Sequence, residues 1–165
     1  MLEATAGKKI VYLFRKYGDT TAAKMIALTT SNGRSISKDS ESTATKDGTI
    51  NTPGAGEQEV TVAALIPTDG GILDDLEDNM LADELYEVWE ANLERPGTGT
   101  DKYKGKYFQG VISSMELSSE AEGLATVDIT FTINGDGERG DVTVTAEQAE
   151  AAGYTFVDTV AVTSA

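Results

Sequence analysis

The chain has 165 residues and a mass of 17.4 kDa, enough for one domain with a real core. It contains no cysteine and no histidine, which removes disulfides, zinc–sulfur sites, thiolate and imidazole nucleophiles, and any general base titrating near neutrality. Twenty-eight acidic against thirteen basic residues leave a net charge of −15, so this surface repels nucleic acid rather than gripping it.

Seventeen glycines, three prolines and twenty-one threonines, many beside Val or Ile, favour pleated strands joined by many turns. A mostly antiparallel β protein with at most one or two helices is expected. The longest uncharged apolar run, Val60–Pro67, is far short of a membrane span. Met1-Leu2-Glu3-Ala4-Thr5 lacks the basic flank and apolar stretch of a secretory signal, so folding in a cytoplasm is expected. Charge is uneven. Residues 1–46 carry eight bases and four acids, whereas residues 47–101 carry fourteen acids and one base, Arg95. Lys102, Lys104 and Lys106 follow, and the chain is acidic again from 111 onward. Two electrical faces of this kind suit head-to-tail contact between copies.

In chain order, Lys9–Tyr17 and Lys24–Leu28 read as short strands. Ser35–Lys46 is polar on both faces, which marks an edge strand, a projecting arm or a segment used in assembly. Asp47-Gly48-Thr49-Ile50-Asn51-Thr52-Pro53-Gly54-Ala55-Gly56 is built of turn residues and reads as a loop with a mobile tip at Ile50–Gly54. Glu57–Leu65 then returns as a strand, completing a long hairpin arm over about 35–65. After Asp69-Gly70-Gly71, Ile72, Leu73, Leu76, Met80 and Leu81 recur at helical spacing, with Asp74, Asp75, Glu77 and Asp78 between them. Local pattern does not decide between helix and strand for Glu84–Leu93. Lys106–Leu117 places Tyr107, Val111, Met115 and Leu117 on one face. Ala125–Asn134 alternates cleanly, with Val127, Ile129, Phe131 and Ile133 inward. Gly135–Gly140 reads as a hairpin turn, Val142 and Val144 as a new strand, Glu147–Ala152 as one helical turn, and Tyr154–Val162 as a final strand.

The motifs for chemistry fail on context. Gly135-Asp136-Gly137-Glu138-Arg139-Gly140 matches the dinucleotide fingerprint but precedes a strand rather than a phosphate-holding helix. As a calcium loop the same stretch puts Arg139 where glycine is needed and Thr145 where a bidentate Glu belongs. Gly105-Lys106 lacks the rest of a phosphate loop. A carboxylate pair for glycoside hydrolysis is the one catalytic device left, and nothing singles out such a pair. Neither enzyme nor cofactor nor metal site is expected. The alternative to a structural role is a carbohydrate-binding β-sandwich with Trp89, Tyr103 and Tyr107 as a stacking platform.

Taken in order, the polar strand Ser35–Gly48, the Pro-Gly stretch, Glu59–Leu65, the acidic helix, Glu87-Val88-Trp89-Glu90, Lys106–Glu116 and Gly123–Gly135 resemble the major tail tube proteins of long, flexible-tailed bacteriophages of Gram-positive bacteria. The resemblance spans about residues 5–160 and rests on strand order and spacing. It implies a mainly β fold: a small antiparallel sandwich or barrel over 1–165, with one flanking helix shortened to about 71–82 and a strand near Tyr86–Leu93. It further implies hexameric rings stacked into a tube in the virion tail, assembled in the host bacterial cytoplasm. The tape-measure, tail tip and tail terminator proteins are the implied partners, with duplex DNA in transit and no membrane. The stretch Asp47–Gly56 then corresponds to an arm reaching a neighbouring ring. A DNA conduit calls for an acidic wall, and Asp39, Glu41, Glu57, Glu59 and Asp128 are its candidate acids.

Overall fold

The computed structural model describes residues 2–151. Six antiparallel strands make one sheet: β1 (Ile10–Lys16), β2 (Thr29–Thr45), β3 (Gly48–Leu65), β4 (Leu85–Pro96), β5 (Lys102–Ser118) and β6 (Thr126–Thr143), in the order β1-β4-β5-β6-β3-β2. The described residues also hold two α-helices, α1 (Leu73–Leu81) and α2 (Ala146–Ala151), and one 3-10 turn at Gly7–Lys9. The expected final strand, Tyr154–Val162, lies outside the described residues.

The sheet curls until its two edges meet. Phe14 of β1 stacks on Phe131 of β6 with ring centroids 4.7 Å apart, although the two strands are not neighbours in the sheet. Asn32 of β2 donates to the Ile10 carbonyl at the start of β1, 3.4 Å away. The enclosed core takes alternate residues from each strand: Val60 and Val62 from β3, Ile129 and Phe131 from β6, Tyr86 and Val88 from β4. Leu73 and Leu76 of α1 enter the same core, and Asn79 pins the helix by donating to the Tyr86 hydroxyl at 2.7 Å. The helix stops at Asp83, which takes a left-handed backbone (φ 56) and turns the chain into β4. Residues 85–93 are therefore strand, with Tyr86 and Val88 inward and Trp89 outward.

Four local readings are corrected. Lys24–Leu28 is not a strand: it meets β1 through one bridge, Lys24 to Phe14, and leaves at Leu28, whose φ is 57. Asp47–Gly56 is not an open loop. Lys46-Asp47 is the hairpin turn, Gly48 reverses the chain at φ 136, and Thr49–Pro53 pair with β2 residues 40–44. Sequence pattern missed this because both faces of the hairpin are exposed, so the ladder alone holds it and no burial imposes a period of two. Gly135–Gly140 is not a turn either. The strand runs through it, bent by Gly135 (φ 72) and Gly137 (φ 78), and Gly140 and Thr143 still pair with Gly105 and Lys102. Val142 accordingly continues β6 rather than starting a new strand. Finally, register slips at Tyr107–Gln109 and Ile112–Ser114 break the parity of β5. Val111 stands opposite outward Thr132, whereas Met115 and Leu117 stand opposite inward Ile129 and Val127, so Tyr107, Val111, Met115 and Leu117 do not share a face.

These bends let β5 and β6 serve two layers. The first half of β5, to Val111, pairs with β4, and the first half of β6, to Ile133, pairs with β3, while β5 and β6 pair with each other along their length. The corner requires close backbone approach: a Cβ on Gly110 would overlap the Thr132 carbonyl, and one on Gly137 would lie 2.6 Å from the Phe108 ring. Gly110→Ala should cost about 2–3 kcal/mol. A thermal melt of the variant should fall by about 5–10 °C, and an unchanged melting temperature would show the corner to be loose.

Candidate assembly surface

Strands β5, β6, β3 and β2 present one face away from the core. Register puts Ser35 beside Glu59, Glu59 beside Thr132, and Thr132 beside Val111. One step along, Gly33, Thr61, Thr130 and Ser114 line up, and Ala63, Asp128 and Glu116 follow. The face is thus made of Ser, Thr and small residues, with four carboxylates (Glu57, Glu59, Glu116 and Asp128) and no Lys or Arg. Three of the five expected wall acids, Glu57, Glu59 and Asp128, fall together on it. Glu116, opposite Asp128, is a fourth that went unnoticed because the slip in β5 hides its parity. Asp39 and Glu41 lie further out along the arm: Asp39 sits at a register slip against Gly54, and Glu41 pairs with Thr52.

Both edges of this four-strand patch are open among the described residues. Beyond its root, β2 pairs only with β3, and β5 loses β4 at Val111, so Ile112–Ser118 pair only with β6. Exposed edges offer unpaired N–H and C=O groups to another chain. The β2–β3 arm projects past β6, which last pairs with β3 at Gln58. From Gln58 to the turn it runs for about ten residues, or about 30 Å.

A buried polar cluster fixes where the arm leaves the body. Arg34, on the core side of β2, reaches across to β4 and grips Glu90 with two nitrogens at 2.9 and 3.3 Å. Its third contact is the Gln58 side-chain oxygen at 3.1 Å, and Gln58 in turn donates to the carbonyls of Gly135 and Asp136. The Tyr12 hydroxyl donates to Glu90 at 2.6 Å. Burial, and the hydrogen bond to a carboxylate, push the Tyr12 hydroxyl far above its ordinary range. Burial alone would raise the Glu90 carboxyl, but the hydrogen bonds from Arg34 and Tyr12 outweigh it and hold the group below the usual carboxylate range. Glu90 therefore adds stability that is fully present above its unfolded value and is lost as pH falls through the lower folded one. Arg34→Ala, which strands a half-buried carboxylate, should cost about 2–3 kcal/mol at pH 7. The deficit against the parent should shrink below about pH 4, and a deficit independent of pH in denaturant titrations would exclude the ionic origin.

The aromatic platform proposed for sugar is otherwise engaged. Trp89 and Tyr107 are tilted by 46° at 5.3 Å, and Arg15 lies 5.0 Å over the indole. Glu87 joins Arg15 (2.7 Å) to the Tyr107 hydroxyl (2.8 Å), while Tyr103 packs on a small second cluster around Val11 and Leu13. No flat, open ring pair remains there.

Comparison with known proteins finds relatives of this chain. The family model described as phage tail tube protein matches residues 4–139. A tail protein of Staphylococcus phage phiMR25 is 34% identical over 154 residues, which cover 90% of this chain and 80% of that one. Among solved structures, the hybrid NMR and cryo-EM structure of the SPP1 tail tube superposes with a TM-score of 0.73 at 20% identity, covering 86% of this chain and 81% of the other. The tail of an empty gene transfer agent particle, refined with C6 symmetry, gives 0.64 at 14% identity, covering 82% and 98%. The sheath–tube complex of an extracellular contractile injection system gives 0.56 at 15% identity, covering 86% and 93%. These structures share the fold.

Proposed function

The chain belongs to the phage tail tube protein family, and on that premise we propose that six copies close a ring in which β2 of each copy pairs with the open edge of β5 in the next. It is a structural protein of the virion tail. In this reading rings stack into a tube in the cytoplasm of a bacterial host, around a tape-measure protein and between a tail tip and a terminator. The tube later carries duplex DNA without holding it, and no catalysis is required of the chain. The observation that supports this reading best is the four-strand patch with two open edges and an acid-only polar face. Twenty-four strands at about 4.8 Å spacing give a circumference of about 115 Å, and side chains leave a bore of about 27 Å, wider than a duplex of about 20 Å. The polar face forms the wall, and Glu57, Glu59, Glu116 and Asp128 keep phosphate from adhering to it. The arm, including Asp47–Gly56, reaches the adjacent ring.

The absence of cysteine makes the ring contact directly testable. In a Ser37→Cys/Ser114→Cys variant, one thiol stands on β2 and the other on β5 of the same face. A short bis-maleimide should produce a denaturation-resistant ladder that ends at six. A ladder ending at two, or none, would contradict the edge pairing.

A further inference from the structure

In a chain of net charge −15, one cleft is strongly cationic. It has a volume of about 570 Å³ where β4 ends, β5 begins and β6 ends, and Arg34, Arg95, Lys104, Lys106 and Arg139 line it against a single carboxylate, Glu90. Glu90 is already taken by Arg34, and Lys104 makes a 3.4 Å pair with Asp141. Arg95, Lys106 and Arg139 have no ion-pair partner among the described residues. Lys106 also stands directly opposite Arg139 in the β5–β6 ladder. Glu90 on β4 flanks Lys106 from the other side and offsets part of the repulsion between these like charges, but Arg139 has no such neighbour in the ladder, and a bound anion would relieve what remains.

The matching surface lies at the other end of the same molecule. Helix α1 connects the end of β3 to the start of β4, so antiparallel topology sets it opposite the cleft along the strands. Asp74, Asp75, Glu77 and Asp78 are all exposed on it, and the helix carries no base. The separation follows from β4, which runs from Tyr86, held by Asn79 of α1, to Arg95 at the cleft, about 30 Å of strand. Each copy thus has a cationic socket at one end and an anionic knob at the other, which is the arrangement of a heterologous contact that propagates rather than closes.

We propose that the cleft lined by Arg95, Lys106 and Arg139 is a ring-stacking socket that receives the acidic face of α1 from a second copy in the adjacent ring. This rests on the tube reading above and adds the polarity and chemistry of the stacking contact. Duplex DNA is not the occupant, because a chain of net charge −15 repels it as a whole.

Charge exchange on the full-length protein tests the socket. Two variants are compared with the parent by electron microscopy and sedimentation: Lys106→Glu/Arg139→Glu, and Asp75→Lys/Asp78→Lys. Each alone should form rings, since the β2 and β5 edges are untouched, but its threshold concentration for tubes should rise about tenfold or more, as for the loss of about 1.4 kcal/mol per added ring. Mixed in equal amounts, the two should give tubes of alternating rings, because the introduced glutamates of one variant then meet the introduced lysines of the other, while every second interface pairs a parental socket with a parental helix. That recovery also shows both variants to be folded. Tubes of parental threshold from the first variant alone, or no recovery on mixing, would overturn the proposal. Failure of the parent to form rings would instead count against the tube reading itself.

Discussion

A protein shortened at its arm should keep its fold and lose its tubes. The cut that respects register removes Ser42–Asn51 and joins Glu41 to Thr52, which are paired residues, through an Asn-Gly turn. Every residue removed is exposed, so no core contact disappears and the melting temperature should move by no more than about 2–4 °C. The structure turns an expected loop into a stiff two-stranded lever whose root is clamped by Arg34, Gln58 and Glu90. Among the described residues the lever packs on nothing beyond its own two strands, which are polar on both faces, so any stability it lends is intermolecular. Rings without tubes are the expected product, seen by electron microscopy. Tubes of normal length from the shortened chain would show the arm to be dispensable.

The second large effect concerns the wall. Replacing Glu59, Glu116 and Asp128 with lysine puts three cations per copy on a face that now carries none. DNA presents one negative charge per about 1.7 Å of axis, so attraction to such a wall is repeated along the whole tube. A small attraction at each ring becomes a large resistance to sliding. In a viable phage the variant should assemble tails and release its genome slowly. The delay should be greatest at low salt, where screening lengths reach about 30 Å at 0.01 M. Normal release from lysine-lined tubes would make wall charge incidental, and the net charge of −15 would then serve only solubility.

How much of this was legible in the sequence depends on what each residue touches. Ala125–Asn134 was plain because one face is buried and the other wet: Val127, Ile129 and Phe131 are each no more than 1% exposed. The α1 pattern was plain for the same reason, with Leu73 and Leu76 buried between exposed acids. The strand at 85–96 needed the family resemblance, because Leu85–Trp89 satisfies either period. Where burial gives no signal, pattern reading failed. The arm has no inner face, and its Pro53 and glycines imitate a loop. Gly135 and Gly137 look like a turn because left-handed glycines serve a bend inside a strand equally well. The Arg34–Glu90 clasp joins residues 56 positions apart and is invisible until register is known. Of the five acids named from sequence, Glu57, Glu59 and Asp128 share one outward face, while Glu116 on the same face was hidden by the slips in β5.

The most direct measurement is a cryo-electron microscopy reconstruction of the assembled protein, since it reads subunit number, edge pairing and wall composition together. It should show six copies per ring, β2 of one copy alongside Ile112–Ser118 of the next, and Thr130, Glu116 and Asp128 facing a bore wider than a DNA duplex. A protein that remains monomeric at every concentration, or a tube whose Thr130 face points outward, would contradict the account.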